Sequence, residues 1–162
     1  MNEVPELPRE IRGVMLSVTG GRVLVPNTTM AEVISYAKPE PVRGAPPWLL
    51  GRLTWRGWGL PVLAFSSLAG AAGGGEATEN ARVAILKALS GHPRLPYFGV
   101  LSQGFPRLTL ISQAIMKPDE GAGAEALPTG VRERVIVHDE AAWIPDLAAV
   151  ESLLVEALTV AA

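Results

Sequence analysis

The chain has 162 residues, 48% of them apolar and 19% charged, with a net charge of -2 and no cysteine. These values suit one globular domain or two small lobes sharing a core. They exclude disulfides and thiolate metal sites, and they provide none of the basic stripe on which nucleic-acid binders rely.

The opening MNEVPELPRE is acidic and carries prolines, the opposite of a secretory leader, and no apolar run is long enough to span a bilayer. A cytoplasmic protein is expected, with residues 1–12 as a flexible tail and no direct membrane insertion. From Gly13, Val14, Leu16 and Val18 alternate with Met15, Ser17 and Thr19, the period of a strand. Gly20-Gly21 supplies a tight hairpin turn, and Arg22 to Val25 returns as a second strand that Pro26-Asn27 stops. Thr29 and Glu32 stand at the spacing of a helix capping box, although Val33 to Tyr36 favours extended chain.

Four prolines between residues 37 and 47 predict a loop. Trp48 to Gly51 reads as one helical turn closed by a glycine. Leu53 to Trp55 and Leu60 to Phe65 then read as strands joined through Arg56-Gly57-Trp58-Gly59. Residues 69–79, rich in Ala and Gly, read as a linker or loop tip.

The second half continues the strand habit at 82–89, 97–102 and 107–111, with a Pro/Gly loop over 117–130. Arg134 to His138 and Ala142 to Ile144 flank Asp139-Glu140, expected as solvated turn residues of a hairpin. Leu147, Val150, Leu154 and Leu158 share one helical face, and Pro145-Asp146 can start that helix. About nine or ten short strands with turn signals about every 8–12 residues, plus one terminal helix, indicate a sandwich or barrel. Residues 13–158 form the expected domain and 159–162 a tail.

The sequence offers little reactive chemistry. His92 and His138 have no neighbours at metal-ligand spacing, and the glycine-rich stretch from Gly70 lacks the lysine of a phosphate loop. No catalytic residue, metal or cofactor is expected. Trp48, Trp55 and Trp58 are more informative, clustered around Arg52 and Arg56, since Trp and Arg are the commonest anchors of protein interfaces. Each could equally fill a small barrel.

At this segment the sequence resembles a known family. Gly51-Arg52-Leu53-Thr54-Trp55-Arg56-Gly57-Trp58-Gly59-Leu60-Pro61-Val62-Leu63 is similar to the signature of CheW-like domains. That signature runs Gly, two variable residues, Asn-Leu-Arg-Gly, a short turn and Pro-Val-Ile-Asp-Leu. Arg56, Gly57, Pro61 and Gly51 match, whereas Thr54, Trp55 and Phe65-Ser66 depart from it. Ala31 to Ile34, the proline loop from Pro39 to Pro47, Ile115-Met116-Lys117-Pro118 and the final helix resemble family segments in the same order. Leu24 to Thr29 and Trp48 to Gly51 resemble the variant attached to type IV pilus chemosensory systems, the ChpC type.

The resemblance implies a mainly β fold of two SH3-like five-stranded barrels with a C-terminal helix. It implies a non-enzymatic adaptor that binds the regulatory domain of a CheA-type histidine kinase and the cytoplasmic tip of a methyl-accepting chemoreceptor. By family position, Ala31, Glu32, Val33, Gly51, Arg56, Gly57, Trp58 and Pro61 are the implied protein-binding residues. Arg56 could contact a partner or pair internally with Glu32. An SH3-like module gripping proline-rich peptides with its three tryptophans is the alternative, and an enzyme would need a catalytic cluster that spacing does not reveal.

Overall fold

The computed structural model describes residues 10–71, 75–119 and 126–160. Strands β1 (Ile11–Val18) and β2 (Gly21–Pro26) form the opening hairpin around Thr19-Gly20, with Val18 opposite Gly21. Strands β3 (Met30–Ser35), β4 (Leu49–Trp55) and β5 (Trp58–Leu63) follow, then a single helical turn, α1 (Phe65–Leu68). Strands β6 (Arg82–Lys87), β7 (Tyr97–Ser102), β8 (Arg107–Ile111), β9 (Met116–Pro118), β10 (Val131–Val137) and β11 (Glu140–Pro145) lead to helix α2 (Leu147–Val160). Of the expected loops, residues 72–74 and 120–125 lie outside the described residues, as do 1–9 of the expected tail.

The strands divide into two sheets. One runs β8-β1-β2-β11-β10-β9 and the other β3-β6-β7-β5-β4. The first lobe is therefore built from both ends of the chain, and the second from its middle. Two short parallel pairings arise from this interleaving, Trp143 beside Val23 and Val62-Leu63 beside Gly99-Val100. The mainly β, two-lobed fold expected from the resemblance is present, but among the described residues its strands divide six and five. The extra strand is Met116–Pro118, which pairs with β10 although its proline and its neighbours read as loop.

Three apolar clusters hold the fold. Met15, Leu24, Ile111, Val135, Val137 and Ala142 fill the first lobe. Trp55, Leu60, Val62, Val83 and Ile85 fill the second. The largest lies between the lobes, where Val14, Leu16 and Val25 meet Leu63, Phe98 and Val100, with Val150 and Leu154 of α2 covering them. This explains β1. Its alternation sends Val14 and Leu16 to the inter-lobe core and Met15 to the first lobe, so both faces are buried rather than one.

Local expectations failed where pairing overrode propensity. Thr29 and Glu32 do not cap a helix. The Thr29 hydroxyl donates to the Pro26 carbonyl at 2.7 Å within one 3-10 turn, Asn27–Thr29, and the chain then extends to pair with β6. Trp48 to Gly51 is not a helical turn, because Leu49 onwards pairs with β5. The β4–β5 hairpin is tighter than expected. Trp55 faces Trp58, and Arg56 (φ 48°) with Gly57 (φ 79°) makes a two-residue turn. Two positive φ angles are the type I′ geometry that matches strand twist. Residues 65–68, read as the end of a strand and the residues after it, form α1.

Glu140 is more than a solvated turn residue. It opens β11, accepts a hydrogen bond from Arg107 Nη2 at 2.7 Å and lies 3.7 Å from Arg22 Nε. It thereby ties the β10–β11 hairpin to β8 and β2. The Arg107 hydrogen bond, and then the positive charges of Arg107, Arg22 and His138, hold its carboxyl below the ordinary value of 4.5, against the opposing effect of burial. A carboxyl depressed by folding stabilises the native state above its ordinary value and loses that contribution as the pH falls through the depressed one. Glu140→Gln is therefore expected to flatten the acid side of the stability profile, seen as urea midpoints that differ less from wild type at about pH 3 than at about pH 6.

Candidate protein-interaction faces

Strands β3 and β4 are the two edges of the five-stranded sheet. The sheet curls until side chains from these edges meet. Trp55 Nε1–H donates to Glu32 Oε2 at 2.5 Å, and Arg56 Nη2 lies 3.5 Å from the same oxygen. The Arg56 guanidinium also sits 4.7 Å from the Trp55 ring centre. Trp55 is held from below by an edge-on contact with Tyr97 at 5.0 Å and is only 7% exposed. Arg56 thus makes the internal pair with Glu32 while its side chain stays 68% exposed.

The magnitudes decide what that pair does. An exposed ion pair contributes about 0–1 kcal/mol, and a solvent-facing cation–π contact about 0.5–1 kcal/mol. The indole N–H, by contrast, belongs to a buried ring and is bonded in a part-buried position to a charged oxygen, which makes it the stronger tie. Arg56→Ala is expected to lower stability by only about 1 kcal/mol in a denaturant titration. Trp55→Leu removes the tie and much of the ring's packing, and should cost about 2–4 kcal/mol. The internal pair therefore leaves the guanidinium available to a partner.

The other sequence-derived residues separate by exposure. Ala31, Gly57 and Trp58 are exposed, with Trp58 at 51%. Glu32 and Val33 are half-buried. Gly51 and Pro61 are buried, so they offer no side-chain surface. Pro61, a match to the signature and an implied protein-binding residue, is interior together with Leu60 and Val62, because β5 lies between β4 and β7. Nor do the tryptophans form one cluster. Trp48 packs against the inter-lobe core, Trp55 fills the second lobe and Trp58 faces solvent. A peptide grip made from all three is therefore not present.

One surface was not read from the sequence. Leu108 and Leu110 in β8 are 72% and 50% exposed. With Thr109, Arg12 and Asn27 they line an open cavity of about 190 Å³. The register explains where they point. Leu108 is opposite Val14 and Leu110 opposite Arg12, which puts both leucines on the inter-lobe side of their sheet. Val33, opposite the core residue Ala84, lies on the inter-lobe side of the other sheet. Strands β8 and β3 are both sheet edges; Leu108 and Leu110 are exposed on the first and Val33 is half-buried on the second. The run Arg107 to Ile111 reads as a strand, but alternation alone does not say which face is buried; here Leu108 and Leu110 face out and only Ile111 is buried.

Among the described residues no helix is long and apolar enough to cross a membrane, and no group of three His, Cys, Asp or Glu could hold a metal ion. The family model for the CheW-like domain matches residues 12–153. Among solved structures, the chain is similar to the scaffolding protein TtCheW from Thermoanaerobacter tengcongensis. The TM-score is 0.69 at 16% identity, over 91% of each chain. At that identity the likeness concerns the fold. No curated protein matches the chain.

Proposed function

Because this chain belongs to the family of CheW-like domains, whose members are scaffolds rather than enzymes, we propose that it is a cytoplasmic adaptor that couples chemoreceptors to a CheA-type histidine kinase. The observation that carries this reading is the pair of uncovered apolar and cationic features on a well-packed scaffold. Leu108 and Leu110 lie at the inter-lobe rim, and Trp58 with Arg56 at the tip of the β4–β5 hairpin. Exposed large apolar side chains grouped beside polar ones mark interaction surfaces.

The chemistry of each face suggests its partner. The β8 edge, with exposed Leu108 and Leu110, suits the apolar stripe of a receptor helix, and Ala31 and Val33 of β3 are further candidates by family position. The hairpin tip presents an aromatic ring beside a guanidinium, the combination that anchors protein interfaces, and suits the kinase regulatory domain. Contacts of this transient kind typically bury about 1,200 Å² or less, so a few anchors dominate. Leu24 to Thr29 and Trp48 to Gly51 support placing the adaptor in a type IV pilus system, with twitching motility as the output.

The test is reconstitution. The purified chain should retain both a CheA-type regulatory domain and a receptor-tip fragment on one column, and retention of neither would end the reading. Within that assay, Trp58→Ala is expected to weaken kinase retention about tenfold or more while leaving the melting temperature within a few degrees. Unchanged binding of both partners would remove Trp58 from the interface.

A further inference from the structure

Helix α2 covers the inter-lobe core with Val150 and Leu154, yet it buries a carboxylate in the same layer. Glu151 is 2% exposed. Among the described residues it has one hydrogen bond, in which its Oε1 accepts the backbone N–H of Leu89, and no cation pairs with it. Its second oxygen is without a partner, but no fully enclosed side-chain oxygen of the described residues lacks one. That oxygen therefore reaches open space. The space is a cavity of about 370 Å³ between the Ser90–His92 turn and the Ser152–Glu156 side of α2.

The cavity walls carry carboxylates and no lysine or arginine. Glu156 adds a second carboxylate to the lining. The Arg94 backbone N–H donates to His92 Nδ1 at 3.2 Å. A carboxylate withdrawn from water is unfavourable unless a positive charge compensates it, and one neutral N–H compensates only a part. Leu89, 65% exposed beside this turn, offers an apolar rest for a methylene stem.

We infer that this cavity receives a lysine or arginine side chain of a partner protein, with its cationic head on Glu151 and its stem on Leu89. The site shares no residue with the hairpin tip or the inter-lobe rim, so it is a third contact, apart from the two proposed above. Glu151 then has two tasks. One oxygen pins the β6–β7 loop to α2, and the other waits for the charge that this chain does not supply.

The test uses the full chain labelled with nitrogen-15 and two probes, N-acetyl-lysine amide and its uncharged analogue N-acetyl-norleucine amide. The lysine probe alone should give saturable shifts confined to the amides of Leu89 to His92 and Ser152 to Glu156. Glu151→Gln keeps an acceptor for the Leu89 N–H but removes the charge, and should weaken that response about tenfold or more. Ser152→Lys places a cation in the cavity from within the chain. It should abolish the response and raise the thermal midpoint by a few degrees, and it decides the matter if Glu151→Gln does not fold. Equal shifts from both probes, an undiminished response in Glu151→Gln, or continued binding by Ser152→Lys would overturn the proposal.

Discussion

Gly51→Ala is expected to destabilise the fold by about 3–5 kcal/mol, enough to lower the thermal midpoint by roughly 6–20 °C in a chain of this size. The reason is a backbone contact rather than a lost side chain. Gly51 has φ 142°, and a Cβ there would lie 2.2 Å from the Glu40 carbonyl oxygen and 2.7 Å from its carbon. That carbonyl has no room to retreat, because Glu40 and Arg52 exchange two backbone hydrogen bonds of 2.9 Å each. Relief would require lifting the proline loop off β4, which exposes the buried Pro39 as well. Gly57 in the same motif gives the contrast. Its φ is 79°, but no atom lies within 4 Å of its Cβ position. Gly57→Ala should therefore cost only about 1–2 kcal/mol, the strain of a left-handed alanine. Equal losses for the two glycines in a urea titration would show that the Glu40 contact is not the cause.

The contrast also shows what a sequence can and cannot disclose. That both glycines mattered was legible from the motif, because a turn and a close backbone approach both call for glycine. What the motif did not disclose is the partner in the approach at Gly51, the Glu40 carbonyl of the proline loop. The hairpins β1–β2 and β10–β11 were legible for a local reason: turn residues stood between alternating apolar runs. The strand at Met116–Pro118 was not, since its strand form comes from pairing with β10.

The site follows the same division. The alternatives for Arg56, an internal pair with Glu32 or an outward contact, were both visible in the sequence, and the geometry accommodates both because the side chain stays largely exposed while bridging to Glu32. The part of Trp55 was hidden. Its indole takes over the anchoring of Glu32, which needs β3 and β4 to meet around the curl of their sheet. Glu151 was hidden for a similar reason. It stands four residues after Leu147, on the same helical face as Val150 and Leu154, but a carboxylate in that row discloses neither its burial nor the Leu89 N–H of the β6–β7 loop that it accepts.

Charging the inter-lobe rim is expected to have the largest effect on partner binding. The double substitution Leu108→Asp with Leu110→Asp should lower affinity for a receptor-tip fragment about a hundredfold or more, measured by titration calorimetry. In the free chain both leucines already face water, at 72% and 50% exposure, so two aspartates lose little packing. Surface changes of this kind usually stay within about 0.5 kcal/mol each. Against an apolar helix stripe, each new carboxylate would have to shed its water without a counter-charge, which costs several kcal/mol per group. Arg12, across from Leu110, could offset a part of that at one position but does not lie opposite Leu108. Kinase retention through Trp58 and Arg56 should change less than about threefold, because those residues belong to the other sheet. Trp58→Ala should give the reverse pattern. If the charged rim still bound the receptor fragment at wild-type strength, the receptor would have to dock elsewhere; if both substitutions weakened both partners equally, the two faces would not be separate sites.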